Sequence, residues 1–191
     1  MRLFFAFVPD DAARTAAAGV AASLQHRLAE AGAPRAVKWV ERDNLHVTLR
    51  FLGEVEETRA ASLADALAAP LPLAPFSMTL GPGGCFPSSG DVRVAWLAVR
   101  EGVEEARRVF ELIDARLQPL GFEREAREYT PHLTLGRVRE LDRRHARSFR
   151  AWVAEAPPAL ARTPVRGATL YRSRLSSTGS RYEVVCEIAL Q

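Results

Sequence analysis

The sequence predicts an α+β protein built from two similar lobes, and three features of the chain point there. Strand-like and helix-like stretches alternate, with strands in the majority. The order of elements in the first half recurs in the second, which is the signature of an internal duplication. Each half also carries His-x-Thr-Leu inside a strand, at His46–Leu49 and again at His132–Leu135.

The elements follow from local patterning. Residues 2–8 are apolar and aromatic and read as a buried strand. Asp10 stands where a helix N-cap belongs, and Ala13, Ala16, Ala17, Val20, Leu24 and Leu28 keep helical spacing on one face until Gly32 and Pro34 stop the helix. A short extended piece at Val37–Val40 precedes a strand over Leu45–Leu52, closed by Gly53. A helix over 56–69 and a strand over 75–80 complete the first unit. The stretch 81–90 is dominated by glycine, proline and serine and reads as an exposed loop between lobes. The second unit then runs through a strand at Val92–Val99 and a helix at 103–119, with Val103, Ala106, Phe110, Ile113 and Leu117 on one face. A strand at Tyr129–Arg137, a helix at 141–154 and strands at 163–171 and 182–190 follow. The lobes are expected at about 1–80 and 91–171, with 182–190 completing a sheet.

Composition narrows the function classes. No apolar run reaches membrane-spanning length, and the apolar start ends at Pro9-Asp10-Asp11 without a cleavage site, so a cytoplasmic protein is expected. Cys85 and Cys186 are the only cysteines, and neither has a further Cys or His at metal-ligand spacing. The net charge is +3, and Lys38 is the only lysine. An arginine-rich surface suits phosphate recognition, although a GC-rich genome produces the same bias.

Four histidines are present, and His26 and His145 read as solvated helix positions. His46 and His132 differ. Side chains alternate along a strand, so His46 and Thr48 share one face, as do His132 and Thr134, while Val47, Leu49, Leu133 and Leu135 point into a core. A lone His-x-Thr would read as a polar strand face, but two copies at matching positions of a repeated unit point to function. Pseudo-twofold symmetry brings them face to face across a cleft. Imidazoles with an ordinary pKa near ~6.5 can hold opposite protonation states at neutral pH, one taking a proton from a nucleophile while the other protonates a leaving group. No carboxylate cluster or His/Cys set accompanies them and no Walker-type loop is present, so the parts suit metal-free displacement at a phosphodiester. Arg50, four residues after His46, falls on the cleft face by simple alternation and is a phosphate-contact candidate.

Leu45-His46-Val47-Thr48-Leu49-Arg50-Phe51-Leu52-Gly53 and Pro131-His132-Leu133-Thr134-Leu135-Gly136-Arg137 resemble the two signature motifs of the two-histidine phosphoesterases. Nearly the whole chain is similar to the RNA 2′,3′-cyclic phosphodiesterases of that superfamily, also called LigT, ThpR or 2′-5′ RNA ligases. The supporting residues include Arg2-Leu3-Phe4-Phe5-Ala6, Trp39-Val40, Gly121-Phe122 and Leu170-Tyr171-Arg172-Ser173. The resemblance implies a single bilobal domain, with two mostly antiparallel sheets flanking a central cleft and helices outside. It also implies hydrolysis of RNA 2′,3′-cyclic phosphate ends to a 2′-phosphomonoester, with His46 as acid and His132 as base, roles that the spacing alone leaves interchangeable. Thr48, Thr134 and Arg137 would contact phosphate, and Phe51 would stack on a base. An odd offset of five puts Arg137 and Phe51 on the wrong face of an ideal strand. Gly136 offers a place for a bulge that re-aims Arg137, whereas Phe51 reads equally as a core residue.

The expected partner is RNA with a cyclic phosphate terminus, tRNA fragments included, bound by a monomer without metal, cofactor or membrane. Cleavage of 2′-5′ linkages, hydrolysis of small cyclic nucleotides, reversible 2′-5′ ligation and a non-catalytic RNA-binding role remain alternatives.

Overall fold

The computed structural model describes residues 1–176 and 179–191. It is an α+β structure, with nine antiparallel strands in one curled sheet and four α-helices. The strands are β1 (Arg2–Phe7), β2 (Val37–Trp39), β3 (Val47–Glu54), β4 (Phe76–Phe86), β5 (Val94–Glu101), β6 (His132–Val138), β7 (Ala161–Val165), β8 (Gly167–Ser176) and β9 (Gly179–Ala189). The helices are α1 (Asp11–Glu30), α2 (Glu57–Leu67), α3 (Val103–Leu117) and α4 (Arg143–Ala154).

After the exposed Arg2, β1 is continuously apolar because both of its faces are covered. Leu3, Phe5 and Phe7 enter the core, while Phe4 and Ala6 are buried beneath the opposite, cleft-side face. The Asp10 carboxylate caps α1, accepting from the Ala13 backbone N–H at 2.8 Å. Ala13, Ala17, Ala21, Leu24 and Leu28 form the buried face of α1, whose small alanines let it lie close to its neighbours. α1 packs on β6, β7 and α4, while α3 packs on β3 and α2 on β9.

The strand order β7-β4-β5-β6-β3-β1-β8-β9, with β2 on the far end of β6, interlaces the two halves of the chain. β4 follows α2 but pairs with β5 and β7, and β8 follows β7 but pairs with β1 and β9. Each side of the sheet therefore takes strands from the other half of the chain: β4 joins β5, β6 and β7, while β8 and β9 join β1 and β3. The expected single strand over 163–171 is two strands, broken at Arg166 and belonging to opposite parts of the sheet.

The expected loop over 81–90 is also corrected, since β4 continues through Gly81–Phe86. The glycines there answer to close approach. A Cβ on Gly83 would lie 2.1 Å from the Val153 carbonyl oxygen, and one on Gly84 would lie 2.4 Å from the Trp96 ring. Turn-forming composition and close backbone approach call for the same residue, and packing decides between them.

Two substitutions should therefore act in opposite directions. Gly84→Ala drives a methyl into Trp96 and should cost about 2 kcal/mol, lowering Tm by roughly 4–8 °C. Gly19→Ala, inside α1 with nothing within 4 Å of the added Cβ, should stabilise by about 0.5–1 kcal/mol. Thermal unfolding of both variants checks the pair.

Candidate active site

The site is built where β3 meets β6. Their register aligns Val47 with Leu133, and both of these side chains are fully buried. Extending the antiparallel register by one residue each way sets His46 across from Thr134 and Thr48 across from His132. All four project from the face opposite the buried aliphatic pair. The histidines occupy diagonal corners of this rectangle, a separation of about 7–8 Å between strand neighbours of that kind, which lets two imidazoles flank one tetrahedral phosphate.

Each ring is held in the same way. His46 Nδ1 lies 2.7 Å from the Asn44 carbonyl and His132 Nδ1 lies 2.8 Å from the Thr130 carbonyl. A carbonyl only accepts, so Nδ1 carries the proton in both rings and Nε2 is left to exchange protons. Aromatic rings surround them: Phe4 at 5.0 Å and the edge-on Tyr182 at 5.4 Å for His46, Phe86 at 5.2 Å and Trp96 at 6.2 Å for His132. The His46 pKa is pushed below its ordinary value, chiefly by burial and further by the positive charges of Arg137 and His132, against the opposing pull of the Asn44 carbonyl.

The odd offsets of Phe51 and Arg137 are resolved by two matching bulges. Along β1–β3, Ala6 pairs with Thr48 and Phe5 with Arg50, leaving Leu49 extra. Along β5–β6, Trp96 pairs with Thr134 and Ala95 with Gly136, leaving Leu135 extra. Each extra leucine follows its histidine by the same interval, and each reverses the facing of what comes after. Phe51 and Arg137 thus return to the cleft, and Phe51 is 54% exposed beside Phe4.

The same bulge corrects Arg50, which simple alternation placed in the cleft. It pairs with Phe5 on the core side, and its guanidinium meets Asp114 at 3.0 Å and Glu125 at 2.9 Å. Its charge is neutralised there, and it ties β3 to the chain after α3. At the equivalent position in β6, Gly136 has no side chain because β2 lies against it: an added Cβ would sit 2.6 Å from Val37 and 3.0 Å from Trp39.

The cleft divides at Thr48 and Phe51, which line both of its parts. One part, of about 530 Å³, holds His46, Thr134, Arg137, Phe4, Ser180 and Tyr182. The other, of about 280 Å³, holds His132, Phe86, Phe110 and Tyr129, with Glu125 and Glu128 at its margin. Tyr182, Phe4, Phe86 and Trp96 carry no local signal of their place here, because nothing in the sequence around them says which strands border β3 and β6. His145, expected to be solvated, instead bridges elements: Nδ1 lies 2.8 Å from Asp142 and Nε2 lies 2.9 Å from the Ala31 carbonyl at the end of α1. Among the described residues no three His, Cys, Asp or Glu side chains gather as metal ligands, and no helix is long and apolar enough to cross a membrane.

Comparison with known proteins follows the same division of the chain. The family model for LigT like phosphoesterases matches twice, over residues 13–96 and 97–182. An RNA 2′,3′-cyclic phosphodiesterase of Methanocaldococcus jannaschii is 36% identical over 154 residues, covering 80% of this chain and 84% of that protein. One from Archaeoglobus fulgidus is 33% identical over 183 residues, covering 96% and 97%. The crystal structure of Escherichia coli LigT complexed with 3′-AMP superposes with a TM-score of 0.71 at 27% identity, covering 100% of this chain and 98% of that one. With one match on each His-x-Thr strand and relatives similar along almost its full length, the chain belongs to the LigT like phosphoesterase family of two-histidine phosphoesterases.

Proposed function

We propose that this protein hydrolyses the 2′,3′-cyclic phosphate end of RNA to a 2′-phosphomonoester by metal-independent acid–base catalysis. The observation that carries this reading is the diagonal placement of His46 and His132, each held through Nδ1 so that Nε2 is free for proton transfer. The names of the similar proteins support the substrate class. In the reaction, His132 Nε2 takes a proton from water as the water oxygen attacks phosphorus. The bond from phosphorus to O3′ breaks, and His46 Nε2 delivers its proton to that oxygen, leaving a free 3′-hydroxyl and a 2′-phosphate. The assignment of acid and base follows the family resemblance.

Thr48 and Thr134 donate to the non-bridging oxygens and Arg137 offsets their growing charge. Phe51, flat and exposed beside the phosphate position, stacks on a base. We also propose action in the cytoplasm on RNA ends that include tRNA fragments, and as a monomer, which the placement of both histidines within one chain supports.

His46 has an electrostatic role to reconcile, since an acid must start protonated and the empty cleft disfavours that. The bound phosphate anion restores the proton. The alkaline limb of kcat/KM, which reports the free enzyme, should therefore lie at lower pH than the alkaline limb of kcat. Coincident limbs, with chemistry limiting, would contradict His46 as the acid.

Purified protein given RNA ending in a 2′,3′-cyclic phosphate, in EDTA, should open the ring and leave phosphate on the 2′ oxygen. A strict need for a divalent ion would overturn the mechanism. His46→Ala and His132→Ala should each lower kcat by about 10²-fold or more. A substrate with sulfur in place of O3′ needs no acid, so it should restore much of the rate to His46→Ala and little to His132→Ala. The reverse pattern would exchange the two roles.

Arg50→Leu should leave Asp114 buried without its partner and cost about 3–5 kcal/mol. KM at temperatures where the variant stays folded should be little changed, whereas a phosphate contact would raise it.

A further inference from the structure

Arg137 lines two separate concavities. One is the catalytic cleft, and the other is a groove of about 630 Å³ at the far end of β5 and β6, which Arg93 and Arg139 also line. Lys38, the chain's only lysine, stands on β2 directly across from Arg137 in the β2–β6 register. Residues so paired share a face with Cβ atoms about 4.5–5.5 Å apart, and like charges placed there destabilise the sheet. Arg93, Arg137, Arg139 and Lys38 are all exposed. Among the described residues none of them takes part in an ion pair. Asp91 and Glu140 also line the groove, leaving it with cations in excess. At the opposite end of the cleft, Glu125, Glu128 and Arg127 border the space beside His132, and there the charges are matched: Glu125 pairs with Arg50 and Arg127, and Glu128 with Arg107.

Unpaired positive charge is therefore concentrated at the Arg137 end of the cleft, which favours that way out for a polyanion. We infer that the RNA strand upstream of the cyclic end leaves the cleft past the paired Arg137 and Lys38 and runs into this groove, where Arg93 and Arg139 hold its backbone phosphates. This rests on the proposed reading that the end of an RNA strand is the substrate. Arg139 lies two residues beyond Arg137, in the bend just past the end of β6. The contacts are to phosphate, so they fix the direction of the strand without reading its sequence. The uncompensated pairing of Lys38 with Arg137 is relieved when the anion arrives.

The test compares adenosine 2′,3′-cyclic phosphate with an RNA of about ten nucleotides carrying the same end, using wild type and the double variant Lys38→Gln/Arg139→Gln. On the oligonucleotide, kcat/KM should fall about tenfold, and the log–log salt slope should shrink by about 0.7 per cation removed. On the mononucleotide, kcat/KM should stay the same. An unchanged ratio between the two substrates would overturn the inference, and so would an equal loss from Arg100→Gln/Arg108→Gln, which removes two exposed charges elsewhere. Anisotropy with a labelled RNA of that length ending in a 2′-phosphate separates this from the activity. If wild type opens neither substrate, the catalytic reading fails, while salt-sensitive binding that the Lys38/Arg139 variant loses would still support the groove.

Discussion

The alignment of Val47 with Leu133 across the β3–β6 joint is the constraint on which the site depends. Burying that aliphatic pair costs little beyond what any core requires, yet it determines which residues stand beside one another on the opposite face. A slip of one residue in either strand would turn its histidine inward and its leucines outward. The catalytic geometry is therefore a by-product of core packing.

Duplication supplies two copies of a motif, but a phosphodiester reaction is not symmetric. The cleft departs from symmetry after the shared bulges. Both histidines are anchored alike and both threonines sit opposite a histidine, so the reacting centre is nearly twofold. Immediately beyond it, one copy presents an aromatic ring and the other a guanidinium. On the proposed reading, one side receives a base and the other a phosphate. The bulge enables this division, because without it the cleft would face Arg50 and Gly136 instead.

Much of the fold was legible in the sequence because single-element signals were strong. The Asp10 cap, the alanine face of α1, the amphipathic α3 and the paired His-x-Thr strands all reflect local periodicity. What escaped was non-local. Arg50 was misplaced because strict alternation fails at a bulge, and only the partner strand reveals the extra residue. Gly83 and Gly84 imitate a turn, yet Val153 and Trp96 are what demand them. Tyr182 arrives beside His46 from the last strand of the sheet, and no nearby residue announces that neighbour.

The interlaced strands also bear on how the molecule is made. β1 is synthesised ahead of every other strand of the sheet, but one of its two neighbours, β8, begins only at Gly167. Until then an apolar strand has an open edge, the kind of surface that seeks pairing with other chains. So many distant pairings give a high contact order, and folding is expected to be slow. Neither half of the chain could be released as a working fragment, since each would lack a strand that the other holds.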